Sequence, residues 1–181
     1  MAAKDSWLRR LDQSGVPLLL ARLVLGALFI YMGAKKVGSP SDFLKQIRLY
    51  HVLPDTPAYY LNGTAIVLPW VEILCGAALI LGSWLRGAAL VTAGMLAVFT
   101  PAILLRALAV RAEQGTSFFE IKFDCGCGAG VVVIWKKLLE NTGLFLLALL
   151  ALFSRSRRFC LSGWLERRRL REESPFPITT R

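Results

Sequence analysis

Long apolar segments separated by short polar connections make up most of the chain. Each of four segments is close to the length of about 20 residues with which a helix crosses a bilayer. They lie at about 16–37, 59–81, 87–110 and 137–154. This pattern predicts an all-α, polytopic membrane protein with a bundle of four transmembrane helices. The fourth segment is short unless the preceding run VVVIW belongs to it or re-enters the membrane.

A shorter amphipathic stretch follows the first apolar segment. In SPSDFLKQIRLY the apolar residues fall on one side at helical spacing; they are Phe43, Leu44, Ile47 and Tyr50. Ser41 or Asp42 would begin this helix. The pattern predicts a short interfacial helix that lies in the membrane surface.

Charge is concentrated outside the apolar segments, and this indicates how the chain sits in the membrane. The net charge is +10, the hydrophobic fraction 55% and the mean hydropathy +0.53. Beside apolar spans, basic residues indicate anionic lipid headgroups as the partner, and not nucleic acid. Residues 155–181 form a basic amphipathic tail, which together with the N-terminal segment 1–15 outweighs the Lys and Arg of the other side. The positive-inside rule then predicts two cytoplasmic termini around a domain at 16–154 in a bacterial inner membrane.

Two cysteines flank a glycine in FDCGCGAG, in the connection between the third and fourth segments. With both termini cytoplasmic, this connection faces the oxidising side, where disulfides persist. Cys125 and Cys127 can bond to each other only if the chain turns between them, and Gly126 permits such a turn. The bond would be strained and easily exchanged, which suits disulfide transfer better than stapling a fold. Three hypotheses stay open here: a redox pair, a metal site and a structural disulfide in a tight turn.

A carboxylate lies near the middle of the second apolar segment, in LPWVEILCG. This residue, Glu72, is costly in lipid and needs a partner. We expect Arg22, in the first segment, to be this partner, ahead of Lys35. The pair either fixes helix packing or marks a proton relay or a quinone site, where Arg22 and Arg106 would contact the quinone headgroup. Arg106 otherwise extends to the membrane interface, as we expect of Lys35 and Lys36.

The remaining cysteines and the single histidine carry weaker signals. Cys75 lies deep in the second segment, where a free cysteine is usually a packing residue. Cys160 lies in the basic tail, and we expect it to be reduced. His51 could join Cys125 and Cys127 in binding copper or zinc, although a closed zinc site needs four ligands.

Several of these stretches together resemble the DoxX-like membrane proteins. RLVLGALFIYMGAKKV resembles their first helix, and YHVLP, LPWVEILCGAALILG, FDCGCG and WKKLLEN resemble the MauE, or methylamine-utilisation, branch, in this order over about 22–150. The resemblance implies a four-helix membrane bundle and thiol redox chemistry outside the cytoplasm beside a thioredoxin-like partner. It places the paired cysteines at Cys125 and Cys127 and the second-helix carboxylate at Glu72. The family motif often reads CGCFG, whereas this chain reads CGCGA.

We therefore expect a membrane thiol–disulfide oxidoreductase that acts through the CGC pair at the extracytoplasmic face. The resemblance extends to quinone-coupled thiol oxidoreductases, which makes a quinone the candidate cofactor. Two alternatives remain: a non-catalytic accessory subunit of a larger membrane complex, and metal handling through the cysteines. The sequence contains no phosphate-binding glycine loop, no HExxH motif and no convincing catalytic triad.

Overall fold

A computed structural model describes residues 15–50, 58–115, 117–126 and 130–154. The elements in chain order are α1 Val16–Gly38, α2 Pro40–Leu49, α3 Tyr59–Leu81, α4 Leu85–Gln114, a 3-10 helix at Phe118–Glu120, β1 Lys122–Asp124, β2 Val131–Val133 and α5 Ile134–Phe153. The predicted N-terminal segment, apart from its last residue, and the predicted basic tail lie outside the described residues.

Within the described part of the chain, three helices are long and apolar enough to cross a membrane, namely α1, α3 and α4. The predicted multi-pass, largely helical membrane protein is confirmed to this extent. Large apolar side chains such as Ile66, Leu74 and Leu105 are exposed on the outer faces of these helices, as contact with lipid requires. The last helix, α5, has 20 residues and carries Lys136, Lys137 and Glu140 in its first two turns. Its role as a fourth span stays a prediction.

Helix α1 packs chiefly on α3, and α4 packs chiefly on α5. Glycines let the first pair approach closely. A Cβ added at Gly26 would lie 2.7 Å from the carbonyl oxygen of Gly76, and a Cβ added at Gly33 would lie 2.7 Å from that of Pro69. Since small residues at a helix interface allow backbone contact in lipid, this packing fixes α1 and α3 as an antiparallel pair.

The two ends of the bundle differ in what they hold. At one end a single core cluster joins the start of α1, the end of α3, the start of α4 and the end of α5 through Leu18, Leu79, Ala88 and Ala151. The chain therefore enters and leaves the bundle at the same end. Helix α2 and the two strands lie towards the other end, where they pack on residues 61–65 and 103–110.

The strands form a short antiparallel hairpin, with Lys122 opposite Val133 and Asp124 opposite Val131. This corrects the all-α prediction and the reading of VVVIW as one unit, because the three valines are a strand and Ile134 begins α5. Valine favours a pleated, half-buried strand. A hairpin alone is only marginally stable in water, and here the buried side chains of Ile121 and Ile134 pack on α4.

The predicted helix after α1 is present, but it begins earlier than expected. It starts at Pro40, after Ser39, so that Ser41 and Asp42 lie inside its first turn. A proline at the first position suits a helix start, because its missing N–H has no helical partner to lose. The location of α2 in the membrane surface stays a prediction.

Candidate functional site

A small cavity lies between all five helices and the hairpin; we call it the chamber. Its volume is about 60 Å³, enough for a few water molecules. Most of its wall is apolar. The polar or titratable side chains in the wall are Lys36, Tyr50, Glu72, Cys125, Lys137 and Asn141. The chamber thus brings together two of the predicted site residues, Glu72 and Cys125, from opposite halves of the chain.

An ion pair between Lys36 and Glu72 forms one side of the chamber. The Lys36 Nζ lies 2.5 Å from the Glu72 Oε1, and the two side chains are only 6% and 3% exposed. The ammonium also lies 4.8 Å from the centre of the Phe43 ring and 5.4 Å from that of Phe99, where the ring faces attract a cation. The second carboxylate oxygen, Glu72 Oε2, is buried without a hydrogen-bond partner in the described structure.

The expected pairing of Glu72 with Arg22 is wrong. Arg22 is 1% exposed, and it donates from Nε to the carbonyl of Leu79 at 2.8 Å and from Nη2 to that of Ile80 at 3.0 Å. These carbonyls belong to the last turn of α3, where helical N–H donors run out; that of Leu79 also accepts the N–H of Gly82 at 3.3 Å. Arg22 therefore stabilises the C-terminal end of α3. Its predicted contact with a quinone stays a prediction.

Lys36 is the residue that the sequence reading missed, because both lysines at the end of α1 were expected to reach the membrane interface. Lys35 does point outward and lies over the Tyr31 ring, whereas Lys36 is buried. The signal was present in the sequence. Helical spacing of three and four residues continues the inner face of α1 to Lys36 and not to Lys35; its buried positions include Leu18, Arg22, Leu25, Phe29, Gly33 and Lys36.

Cys125 lies in the hairpin turn, on the wall of the chamber. It is 6% exposed and is disulfide-bonded. Cys127 lies outside the described residues, so the pairing of these two cysteines stays a prediction. Cys75 is free and half-buried in α3, as expected of a packing residue.

Three contacts position the hairpin turn. The Gly126 N–H donates to the Asp124 Oδ1 at 2.9 Å, and the Tyr50 hydroxyl donates to the Cys125 carbonyl at 2.7 Å. Gly126 has a φ of +71°, and a Cβ there would lie 2.9 Å from the Cβ of Gln46 on α2. Glycine is therefore required both for the left-handed backbone and for the close approach of α2. The turn is clamped against α2.

Tyr50 remains a hydrogen-bond donor over the physiological pH range. Burial, and then the negative charge of Asp124, raise the pKa of the Tyr50 phenol above its ordinary value, against an opposing effect of Arg106. Arg106 is half-buried on α4 and is close enough to act on this phenol. Its predicted contact with a quinone headgroup stays a prediction.

A second lysine enters the chamber from α5. Lys137 is 6% exposed, and its Nζ lies 3.0 Å from the Oε1 of Glu140, a carboxylate that is 47% exposed. The neighbouring Asn141 is buried. The chamber wall therefore contains two ammonium groups and one carboxylate, Glu72, while the carboxylate that pairs with Lys137 lies outside the wall.

A larger apolar cavity adjoins the chamber between α2, α3 and α4. Its volume is about 350 Å³, and its wall includes Leu68 and Met95. Ile47, Tyr50 and Phe99 line both cavities. A ligand with an apolar body and a polar head has room here, with its head towards the chamber.

Among the described residues, no group of three or more His, Cys, Asp or Glu side chains is placed to hold a metal ion. His51 and Cys127, which the metal hypothesis requires, lie outside them. Metal handling therefore stays an untested alternative.

Comparison with known proteins adds a family to this geometry. Residues 14–154 match the family described as MauE, methylamine utilisation protein MauE. A methylamine utilization protein MauE of Paracoccus denitrificans is 30% identical over 131 residues, which are 71% of this chain. The chain spans 64% of that relative's length. No solved structure matches the chain. The predicted MauE resemblance is confirmed, and the wider DoxX-like grouping stays a prediction.

Proposed function

The chain belongs to the MauE family, and on this premise we propose that it is a membrane thiol–disulfide oxidoreductase that acts through Cys125 and Cys127 in methylamine utilisation. One observation carries the proposal. A buried, disulfide-bonded cysteine lies on the wall of a cavity that also contains an ion pair and a second lysine. A disulfide that only stapled the turn would need no charged cavity behind it, since buried charges are costly.

The burial of Cys125 supports an order of attack. A thiolate of a partner dithiol attacks the sulfur of Cys127, the bond between Cys127 and Cys125 breaks, and Cys125 leaves as a thiolate on the chamber side. The partner's second thiolate then attacks the mixed disulfide and releases Cys127. The partner dithiol is oxidised by two electrons and the CGC pair is reduced. A thioredoxin-like protein is the partner we propose.

A quinone is the acceptor we propose for reoxidation of the pair. When bound, it would accept two electrons and two protons from the dithiol. The apolar cavity suits the body of such a molecule, and Lys36 and Asn141 in the adjoining chamber are hydrogen-bond donors for a carbonyl oxygen. Tyr50 and Phe99, which line both cavities, would hold the ring at their boundary.

We also propose that the hairpin faces the extracytoplasmic side of a bacterial inner membrane and that α5 is the fourth span. Entry and exit of the chain at one end of the bundle support this arrangement, because an even number of crossings puts both termini on one side. A membrane-impermeant maleimide, applied to intact cells carrying Cys75→Ser and Cys160→Ser, should label the pair only after reduction. Labelling only after the inner membrane is opened would place the hairpin on the cytoplasmic side and contradict the proposed topology.

Disulfide exchange by the purified full-length protein tests the function. The oxidised protein is mixed with reduced thioredoxin, and oxidation of the thioredoxin thiols is followed by gel shift. Cys125→Ser and Cys127→Ser should each abolish net oxidation, whereas Cys75→Ser, the matched control, should leave it unchanged. Full exchange by both active-pair variants would refute the proposal. Co-purification of the cysteine-free chain with other subunits would then favour the accessory-subunit hypothesis, and bound copper or zinc the metal hypothesis.

A further inference from the structure

We propose that Lys36 is the counter-ion and proton donor of the Cys125 thiolate, and that Glu72 holds the lysine in this position. This inference rests on the proposed function, because it assigns a role in the same exchange. The sequence pattern had suggested Glu72 alone as a proton relay. The structure adds the lysine that a carboxylate at this depth requires, and it places the pair on the wall that Cys125 shares.

The hydrogen bonds of Lys36 leave it able to serve a thiolate. An ammonium has three N–H donors, and in the described structure Lys36 donates only to Glu72 Oε1. Two aromatic rings also contact the ammonium. They attract the cation through their ring faces and accept no conventional hydrogen bond from it. The cavity of about 60 Å³ between the lysine and the hairpin turn holds only a few water molecules, so the charge is weakly screened.

The ion pairs of the chamber are neutral while the disulfide is present, because Glu72 offsets Lys36 and Glu140 offsets Lys137. A thiolate at Cys125 adds a negative charge to the chamber wall. The Lys36 ammonium lies on the same wall, and a nearby positive charge favours the ionised form of a thiol.

Other charged groups lie on the elements that surround Cys125. Asp124, on the hairpin, opposes a thiolate, but its Oδ1 accepts the Gly126 N–H. Arg106, on α4, acts on the Tyr50 phenol. Lys137, on α5, is held by Glu140 on the same helix. Among the described charges on the chamber wall, Lys36 is the cation whose carboxylate partner is also buried.

Lys36 supplies the proton that the Cys125 sulfur takes up on reduction. When the disulfide breaks, Cys125 leaves as a thiolate, and the Lys36 ammonium transfers one proton to its sulfur. The lysine is left as a neutral amine beside Glu72. Glu72 Oε2, which is buried without a partner in the described structure, can accept a proton from water entering the chamber and pass it to the amine. Reoxidation runs the same transfers in reverse.

Titration of the Cys125 thiol tests the proposal. The full-length chain carrying Cys75→Ser, Cys127→Ser and Cys160→Ser retains Cys125 as its single thiol, and thiolate absorbance in the ultraviolet is followed against pH. Lys36→Met should raise the midpoint by about one pH unit or more, which is a tenfold or greater loss of thiolate below the midpoint. Glu72→Gln should lower it, because the lysine charge is then no longer offset. Lys35→Met, the exposed neighbour, should leave it unchanged.

The opposite signs separate this role from a structural one, since damage to the fold would move both midpoints in the same direction. Equal shifts in Lys36→Met and Glu72→Gln, or an unmoved midpoint in Lys36→Met, would overturn the proposal. So would a midpoint that responds to Lys137→Met and not to Lys36→Met. The thioredoxin assay is independent of this titration. Exchange without the expected shifts would refute the role of Lys36 alone, and the expected shifts without exchange would refute the proposed function alone.

Discussion

Removing one partner of the Lys36–Glu72 pair should destabilise the protein far more than removing both. The variants are Lys36→Met, Glu72→Met and the double variant. Methionine keeps an unbranched side chain of similar length, so packing changes little. Both side chains are almost fully buried, and solvent therefore cannot take over the role of the missing partner.

The expected magnitude follows from the geometry. At 2.5 Å and an effective dielectric constant of about 20, the attraction is about 7 kcal/mol, but burial costs each ion several kcal/mol. The pair as a whole is thus close to neutral for stability. In Lys36→Met the Glu72 carboxylate is buried without a counter-ion, and binding a proton is the least costly way to remove its charge. At pH 7 this costs a carboxyl of ordinary acidity about 4 kcal/mol, in line with the 3–5 kcal/mol typical of broken buried pairs.

Equilibrium unfolding in detergent micelles, with a denaturant titration, measures these differences. Each single variant should lose about 3–4 kcal/mol at pH 7, and the double variant should lie within about 1 kcal/mol of the wild type. The loss in Lys36→Met should shrink to about 1 kcal/mol at pH 5, because the carboxyl protonates more readily there. Lys45→Met breaks the exposed pair with Asp42 and should cost less than about 1 kcal/mol. Single variants as stable as the double variant would refute the reasoning.

Three further predictions concern the packing around the site. Gly126→Ala should lose about 1–2 kcal/mol of unfolding free energy for its left-handed backbone, and more for the clash with α2. Gly130→Ala has a φ of +72° and no neighbour within 4 Å, so it should lose only the backbone contribution. Equal losses of the two variants in thermal unfolding would contradict the clash. Tyr50→Phe should cost about 1 kcal/mol. Because the pKa of this phenol is raised on folding, the wild type should lose stability as the pH rises above about 10, and unfolding of Tyr50→Phe over the same range should show less of this loss. Gly76→Ala would put a Cβ 2.7 Å from a backbone carbonyl of α1 and should cost about 1–3 kcal/mol of stability. Gly63→Ala on the same helix, with nothing within 4 Å, should cost nothing. If unfolding showed Gly63→Ala to be the less stable variant, the packing of α1 on α3 would be contradicted.

The sequence predicted the long helices well, because their evidence is local. A run of apolar residues reports the membrane directly, and α3 has the predicted bounds of 59 and 81. The hairpin was missed, since three valines followed by a helix read the same as the start of a longer apolar span. What distinguishes them is the pairing of Val131 with Asp124, a contact between two segments that periodicity within either one does not reveal.

The sequence identified residues of the site by their type, but it did not identify the partner of Glu72. Glu72 and Cys125 stood out because a carboxylate in lipid and a close cysteine pair are rare. The partner of Glu72 depended on how α1 is rotated about its axis and how far it is shifted along α3. The contact of Gly33 with Pro69 fixes both. With that register, the long side chain of Lys36 reaches Glu72, while Arg22 meets the end of α3.

The charge of the chamber also bears on the direction of electron flow, which the sequence left open. A disulfide whose reduced form is stabilised is the more oxidising. If Lys36 stabilises the Cys125 thiolate as we propose, it favours the reduced pair over the disulfide. The CGC pair would then accept electrons from a partner dithiol and would need an acceptor of its own to be reoxidised. An apolar acceptor such as the proposed quinone would meet this need, because the apolar cavity between α2, α3 and α4 shares Ile47, Tyr50 and Phe99 with the chamber that Cys125 lines.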